Sequence, residues 1–176
     1  MRRRRVLSIA ATVAAAALLS PTAAAAAGPS PSSGAGWQPY RSTPFEDPAG
    51  TVCSFGVSAT PVRDEEEYRT LASYPDGSPR LQEFRGPLFF RYTNESTGES
   101  VVRDLSGRGW FRYGQDGGLR ALILDHIGVT VHTGNVGFPA GEWVVNGKSQ
   151  VTITPDGNRT IKLMDATAEN LCDTLA

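Results

Sequence analysis

From position 51 onward, apolar and polar residues alternate along the chain. Cys53, Phe55, Val57 and Ala59 fall on one side of an extended segment, with Ser54, Gly56 and Ser58 on the other. Leu88, Phe90 and Tyr92 oppose Phe89, Arg91 and Thr93 in the same way, and Val151 and Ile153 oppose Gln150, Thr152 and Thr154. Ile161 and Leu163 oppose Thr160 and Lys162, while Trp143 and Val145 face away from Val144. A period of two with one apolar side is the pattern of an antiparallel sheet covering a core. Pro75-Asp76-Gly77, Asn94 to Gly98, Asp116-Gly117-Gly118, Asn146-Gly147 and Asp156-Gly157-Asn158 supply turn residues between the runs.

These signals predict strands near 51–60, 67–74, 80–93, 99–105, 109–114, 119–125, 127–133, 142–146, 149–155 and 159–164. Asn146-Gly147 predicts a tight hairpin joining 142–146 to 149–155. Near the end the period changes. Ala168, Leu171, Cys172 and Leu175 recur at i, i+3, i+4 and i+7, which predicts a short helix capped by Asp165 or Thr167. The fold class is therefore all-β, an antiparallel barrel or sandwich with a short C-terminal helix.

The N-terminal residues carry a different signal. Met1-Arg2-Arg3-Arg4-Arg5 is basic, Val6 to Leu19 is uncharged and largely apolar, and Ala23 to Ala27 are small. That order predicts a cleaved secretory signal peptide over 1–27, with the cut within Ala23 to Gly28. The apolar run of 14 residues is shorter than the roughly 20 needed to span a bilayer, so no stable membrane anchor is expected. Gly28 to Gly36 consists of Gly, Pro, Ser and Ala and predicts a flexible linker. Residues 37–176 form the expected single secreted domain.

Export changes the reading of the cysteines. Cys53 and Cys172 are the only two. Both fall on apolar faces, one on the first strand and one on the terminal helix, and an oxidising compartment lets them pair. The disulfide would close a loop of 119 residues, worth about 5 kcal/mol on a chain-entropy argument. Charge changes the picture too. Arg2 to Arg5 hold four of the 17 Lys+Arg and none of the 18 Asp+Glu, which leaves 13 against 18, a net charge of −5. An acidic domain argues against nucleic acid and anionic lipid surfaces as partners.

Candidate chemistry is sparse. His126 and His132 lie six apart on one strand, about 20 Å at 3.3 Å per residue, too far to share a metal. Gly147-Lys148-Ser149 lacks the glycine that a phosphate-binding loop needs five residues earlier, where Glu142 stands. Neither Gly-x-Ser-x-Gly nor Ser-x-x-Lys occurs. Asp64-Glu65-Glu66-Glu67 reads as a solvated acidic loop. Trp110-Phe111-Arg112-Tyr113, with Arg108 nearby, places Trp110 and Arg112 on one face as a candidate platform for a sugar or aromatic ligand.

The leader, Thr51-Val52-Cys53-Ser54-Phe55, Arg91-Tyr92-Thr93-Asn94 with Thr97-Gly98, and Glu169-Asn170-Leu171-Cys172 together resemble a group of secreted actinobacterial β-domain proteins with no assigned activity. The resemblance implies one β domain with a terminal cystine and brings no catalytic residues. The reading that follows is a monomeric, secreted, non-catalytic binding module for a small molecule, glycan or protein. It uses no cofactor or metal, and its candidate ligand contacts are Trp110, Arg112, His126 and His132. An extracellular hydrolase or isomerase with a site not legible in sequence is the alternative.

Overall fold

A computed structural model describes residues 36–131 and 137–176. The expected signal peptide, all of the linker except Gly36, and His132 lie outside the described residues. Among the described residues, apolar alternation becomes eleven strands and one short helix. They are β1 (Gln38–Pro39), β2 (Phe45–Asp47), β3 (Val57–Asp64), β4 (Glu67–Ser73), β5 (Pro79–Gly86), β6 (Leu88–Asn94), β7 (Ser100–Asp104), β8 (Gly107–Tyr113), β9 (Leu119–Val131), β10 (Gly141–Ile153), β11 (Arg159–Asn170) and α1 (Leu171–Thr174). Two antiparallel sheets result. One has seven strands in the order β1-β4-β5-β8-β9-β10-β11, the other four in the order β2-β3-β6-β7. The protein is all-β, and the arrangement is that of a sandwich. No helix among the described residues is long and apolar enough to cross a membrane.

The predicted faces hold where the strands are regular. Cys53, Phe55, Val57 and Ala59 are buried together with Leu88, Phe90 and Tyr92 in one core cluster, which also takes Val144, Leu171 and Leu175. Val145, Val151 and Ile161 belong to a second cluster with Leu122, Leu124, Val129 and Val131. Leu163 departs from expectation and is exposed, since a register shift between Lys148 and Ser149 intervenes in its strand pair.

Several boundaries differ from the sequence reading, each for a nonlocal reason. The expected strand 51–60 begins only at Val57, so Cys53 lies in the turn-rich approach to β3 and not on a strand. The expected strand 80–93 is two strands broken at Gly86-Pro87, where the chain leaves the larger sheet for the smaller. A side chain at Gly86 would stand 2.5 Å from the Glu65 carbonyl oxygen, and Pro87 has no N–H to continue a ladder. Residues 119–125 and 127–131 are one strand, β9.

Asn146-Gly147 does not form a hairpin. It sits inside the continuous strand β10, at a bulge where Asn146 pairs with His126 and Ser149 with Leu124. An extra residue on one strand bends it and increases its twist, and Asn-Gly provides the backbone freedom such a bulge needs as readily as it provides a turn. Gly147 has φ +103°, and a Cβ there would lie 2.3 Å from the Asp165 carbonyl oxygen. Gly147→Ala is therefore expected to cost about 2–3 kcal/mol. Asn146→Ala, at an exposed neighbour, should stay within about 0.5 kcal/mol. Urea denaturation of the two variants checks this, and equal midpoints would refute the role given to Gly147.

The terminal helix is also shorter than its apolar stripe suggests. Residues through Asn170 remain in β11, paired with β10 from Trp143↔Asn170 to Gly147↔Ala166. Asn170, not Asp165 or Thr167, caps the helix, its side-chain oxygen accepting from the Cys172 N–H at 3.1 Å. Leu171 and Leu175 keep the i, i+4 relation and are both buried. The helix packs beside β10 and β11, and its two leucines join the first core cluster. Cys53 and Cys172 are disulfide-bonded with Cα atoms 5.2 Å apart, Asn94 Nδ2 donates to the Leu175 carbonyl at 2.7 Å, and Arg103 of β7 grips Glu169 of β11 with two bonds of 2.7 and 2.6 Å.

Candidate ligand pocket between the sheets

Strand β8 reads Gly107-Arg108-Gly109-Trp110-Phe111, and its alternation assigns opposite chemistry to its two sides. Arg108 and Trp110 point to the outer face of the seven-stranded sheet. Phe111 points inward and packs on Phe84 with ring centroids 4.3 Å apart. Gly107 and Gly109 share that inward side and contribute no side chain. At Gly109 a Cβ would stand 2.3 Å from Leu124 Cδ2. At Gly128, on β9, it would stand 2.3 Å from the Tyr92 hydroxyl oxygen. The space left between the sheets is a cavity of about 400 Å³.

Its walls are aromatic and aliphatic. Phe84, Phe111, Leu124 and Ile127 come from the larger sheet, and Leu88, Phe90 and Tyr92 from the smaller. One side is crossed by residues 40–44, which leave β1 at the edge of the larger sheet and enter β2 at the edge of the smaller. Tyr40, Ser42 and Thr43 of this crossing, and Phe45 after it, border the cavity. A second, smaller cavity of about 250 Å³ lies between Phe45, Leu122, Val129 and Ile153, with Thr130 and Arg159 at its polar side.

The acidic run fixes the crossing in place and is not a solvated loop. Tyr40 N–H donates to the Glu66 carbonyl at 2.8 Å, Ser42 N–H to Asp64 Oδ2 at 2.7 Å, and Ser42 Oγ to Glu66 Oε2 at 2.7 Å. Glu65 pairs with Arg63 and Glu67 with Arg85. Burial pushes the Glu66 carboxyl above its usual range, and the neighbouring Asp64 adds to this against the Ser42 hydrogen bond and Arg41. Burial likewise raises the Tyr40 hydroxyl, with Glu66 and Asp64 adding to it.

Arg85 and Arg108 border the cavity but send their guanidiniums to the other face. There Arg85 lies 3.8 Å over Trp37 and Arg108 lies 5.2 Å over Trp110. Between them Glu83 is wholly buried, bonded by Arg69 at 2.7 Å and by Arg108. Burial raises the Glu83 carboxyl, but the two guanidiniums outweigh it and hold it below the usual range. Arg69 and Arg108 share the one carboxylate of Glu83, and the cluster knits β4, β5 and β8.

Of the candidate ligand contacts among the described residues, Trp110, Arg112 and His126, it is His126 that borders the cavity. Its Nδ1 is buried without a hydrogen-bond partner among the described residues. Trp110 and Arg112 share a face as expected, but it is the outer face, away from the cavity. Cys53 and Cys172 form the staple, although they join α1 to the approach to β3 and not to a strand. Sequence reasoning missed Tyr40, Glu66, Phe84, Phe90 and Phe111. The available signal was the phase of Gly107-x-Gly109-x-Phe111, empty and aromatic positions on one side of a strand.

Fold and cavity define a class: a cystine-closed antiparallel β-sandwich with an aromatic-lined cleft between its sheets. Comparison with protein-family models, curated proteins and solved structures returns no match for this chain.

Proposed function

We propose that this protein is an exported, non-catalytic binding module that holds a small ligand in the cavity between its sheets. The observation that carries this reading is the cavity itself. It has the size of a small-molecule site, apolar walls and a few polar groups at its border, which is the composition such sites share. Export is supported by the basic and apolar leader and by the Cys53–Cys172 disulfide, which persists in oxidising compartments. The enzyme alternative draws less support. A catalytic imidazole is oriented by a partner on one ring nitrogen while it activates a nucleophile with the other. His126 Nδ1 has no partner among the described residues.

Titration with the neutral, environment-sensitive fluorophore N-phenyl-1-naphthylamine tests the reading. Saturable fluorescence enhancement at one site per chain is expected. Leu105→Trp, which enlarges a buried side chain bordering the cavity, should weaken it at least tenfold while the fold persists by circular dichroism. Absence of saturable binding to the unsubstituted protein would refute the proposal.

A further inference from the structure

The distribution of charge around the cavity narrows the chemistry of its ligand, an argument that rests on the pocket reading above. Two arginines border the cavity, yet both are committed to acids on the outer face, Arg85 to Glu67 and Arg108 to Glu83. The carboxylate at the cavity border belongs to Glu66. Arg41, whose charge acts on it, is at the surface and lies 3.9 Å from Asp64. His126 borders the cavity farther along the sheet. Glu66 packs over Gly86 of β5, whereas His126 is on β9, two strands on.

The Glu66 carboxylate accepts from Ser42 Oγ at 2.7 Å, and rings border the cavity with it. Tyr40 meets Phe84 edge to face with centroids 5.1 Å apart, and Phe84 meets Phe111 at 4.3 Å. All three border the cavity. Aromatic faces carry negative quadrupoles and attract cations, most strongly where water is excluded. A carboxylate beside them adds a full charge. Residues 36–176 carry the 13 basic and 18 acidic side chains counted above, so the surrounding field has the same sign.

We infer that the cavity takes an organic cation with an apolar body, its ammonium group set between Glu66 and the rings of Tyr40 and Phe84. The aliphatic or aromatic body would occupy the space between Phe90, Phe111 and Leu124.

Isothermal titration of the full folded domain with three probes of one shape tests this. They are phenyltrimethylammonium, its neutral isostere tert-butylbenzene, and benzenesulfonate. Phenyltrimethylammonium should bind and benzenesulfonate should bind at least tenfold more weakly. Glu66→Gln should weaken the cation about tenfold and leave tert-butylbenzene within about twofold. Should Glu66→Gln fail to fold, Tyr40→Leu removes a ring at a partly exposed position and keeps apolar bulk. It should weaken the cation several-fold and not the neutral probe. Equal binding of cation and anion, or cation affinity unchanged in both variants, would overturn the cation inference while tert-butylbenzene binding left the pocket reading intact. No binding of any of the three would overturn the pocket reading itself.

Discussion

Replacing both cysteines, Cys53→Ser with Cys172→Ser, is expected to lower the stability of the domain by about 2–5 kcal/mol. The disulfide spans 119 residues of sequence, so its loss returns much loop-closure entropy to the unfolded chain. A native-state cost adds to this. Cys53 is buried in the core cluster that holds Leu171 and Leu175, and a serine hydroxyl there has no assigned partner. The four residues of α1 cannot be helical on their own account, since a nucleus of that length is unfavourable in water. They are held by the disulfide, by Asn94 on the Leu175 carbonyl and by Arg103 on Glu169. Urea denaturation should show a lower midpoint, and amide exchange of 171–175 should accelerate more than exchange in β8. A loss below about 1 kcal/mol would show that the remaining contacts suffice.

Glu142→Gln should flatten the pH dependence of stability between about pH 4.5 and 7. Glu142 has no exposed surface. Its Oε2 accepts the Thr130 hydroxyl at 2.7 Å, while Oε1 has no hydrogen-bond partner among the described residues. Burial pushes the carboxyl up to about 7 from an ordinary 4.5. The Thr130 hydrogen bond opposes this, Asp47 adds to it, and Arg159 opposes it. Burial also raises the Tyr92 hydroxyl, with Glu142 adding to it.

The sign follows from linkage. The native protein holds a proton on Glu142 that the unfolded chain has released between those two values. Stability therefore falls as pH rises through the window, and the cost is complete above about 7. The separation corresponds to about 3 kcal/mol. Glutamine carries no charge at any pH, so the variant should gain most of that amount at pH 8 and little at pH 4. Exposed carboxyls held below their usual range, such as Asp76, Asp104 and Asp116, act in the opposite sense at lower pH. Glu66 acts in the same sense as Glu142, so the difference between variant and parent isolates the buried group. Chemical denaturation at pH 4.5, 6 and 8 reads it. Parallel pH profiles for the two proteins would refute the assignment.

Much of this architecture is written in short-range pattern. Leu88, Phe90 and Tyr92 alternate with Phe89, Arg91 and Thr93, and the structure buries the first set. Asp76-Gly77, Asp116-Gly117 and Asp156-Gly157 each lie in a turn joining neighbouring strands. Cys53 and Cys172 each sat on an apolar face, and they are bonded. Alternation, turn chemistry and burial of small apolar residues depend on a residue and its near neighbours, so one sequence can express them.

Tertiary structure decided the rest. Whether Asn146-Gly147 turns the chain or bulges a strand depends on β9 and β11 lying on either side of it. Whether Ala166–Asn170 is helix or strand depends on β10 offering hydrogen bonds along that length. Glu83 and Glu142 are unremarkable acids in sequence, and only the fold buries them, one between two arginines and one between two sheets. The cavity is the furthest from local pattern. It exists where Gly107 and Gly109 leave no side chain and Gly128 confronts Tyr92 and Leu105, beneath a crossing anchored by Asp64 and Glu66. Sequence by itself determined which residues turn inward. The pairing of sheets determined what they meet there, because an inward position becomes core or cavity only through the size of its opposite.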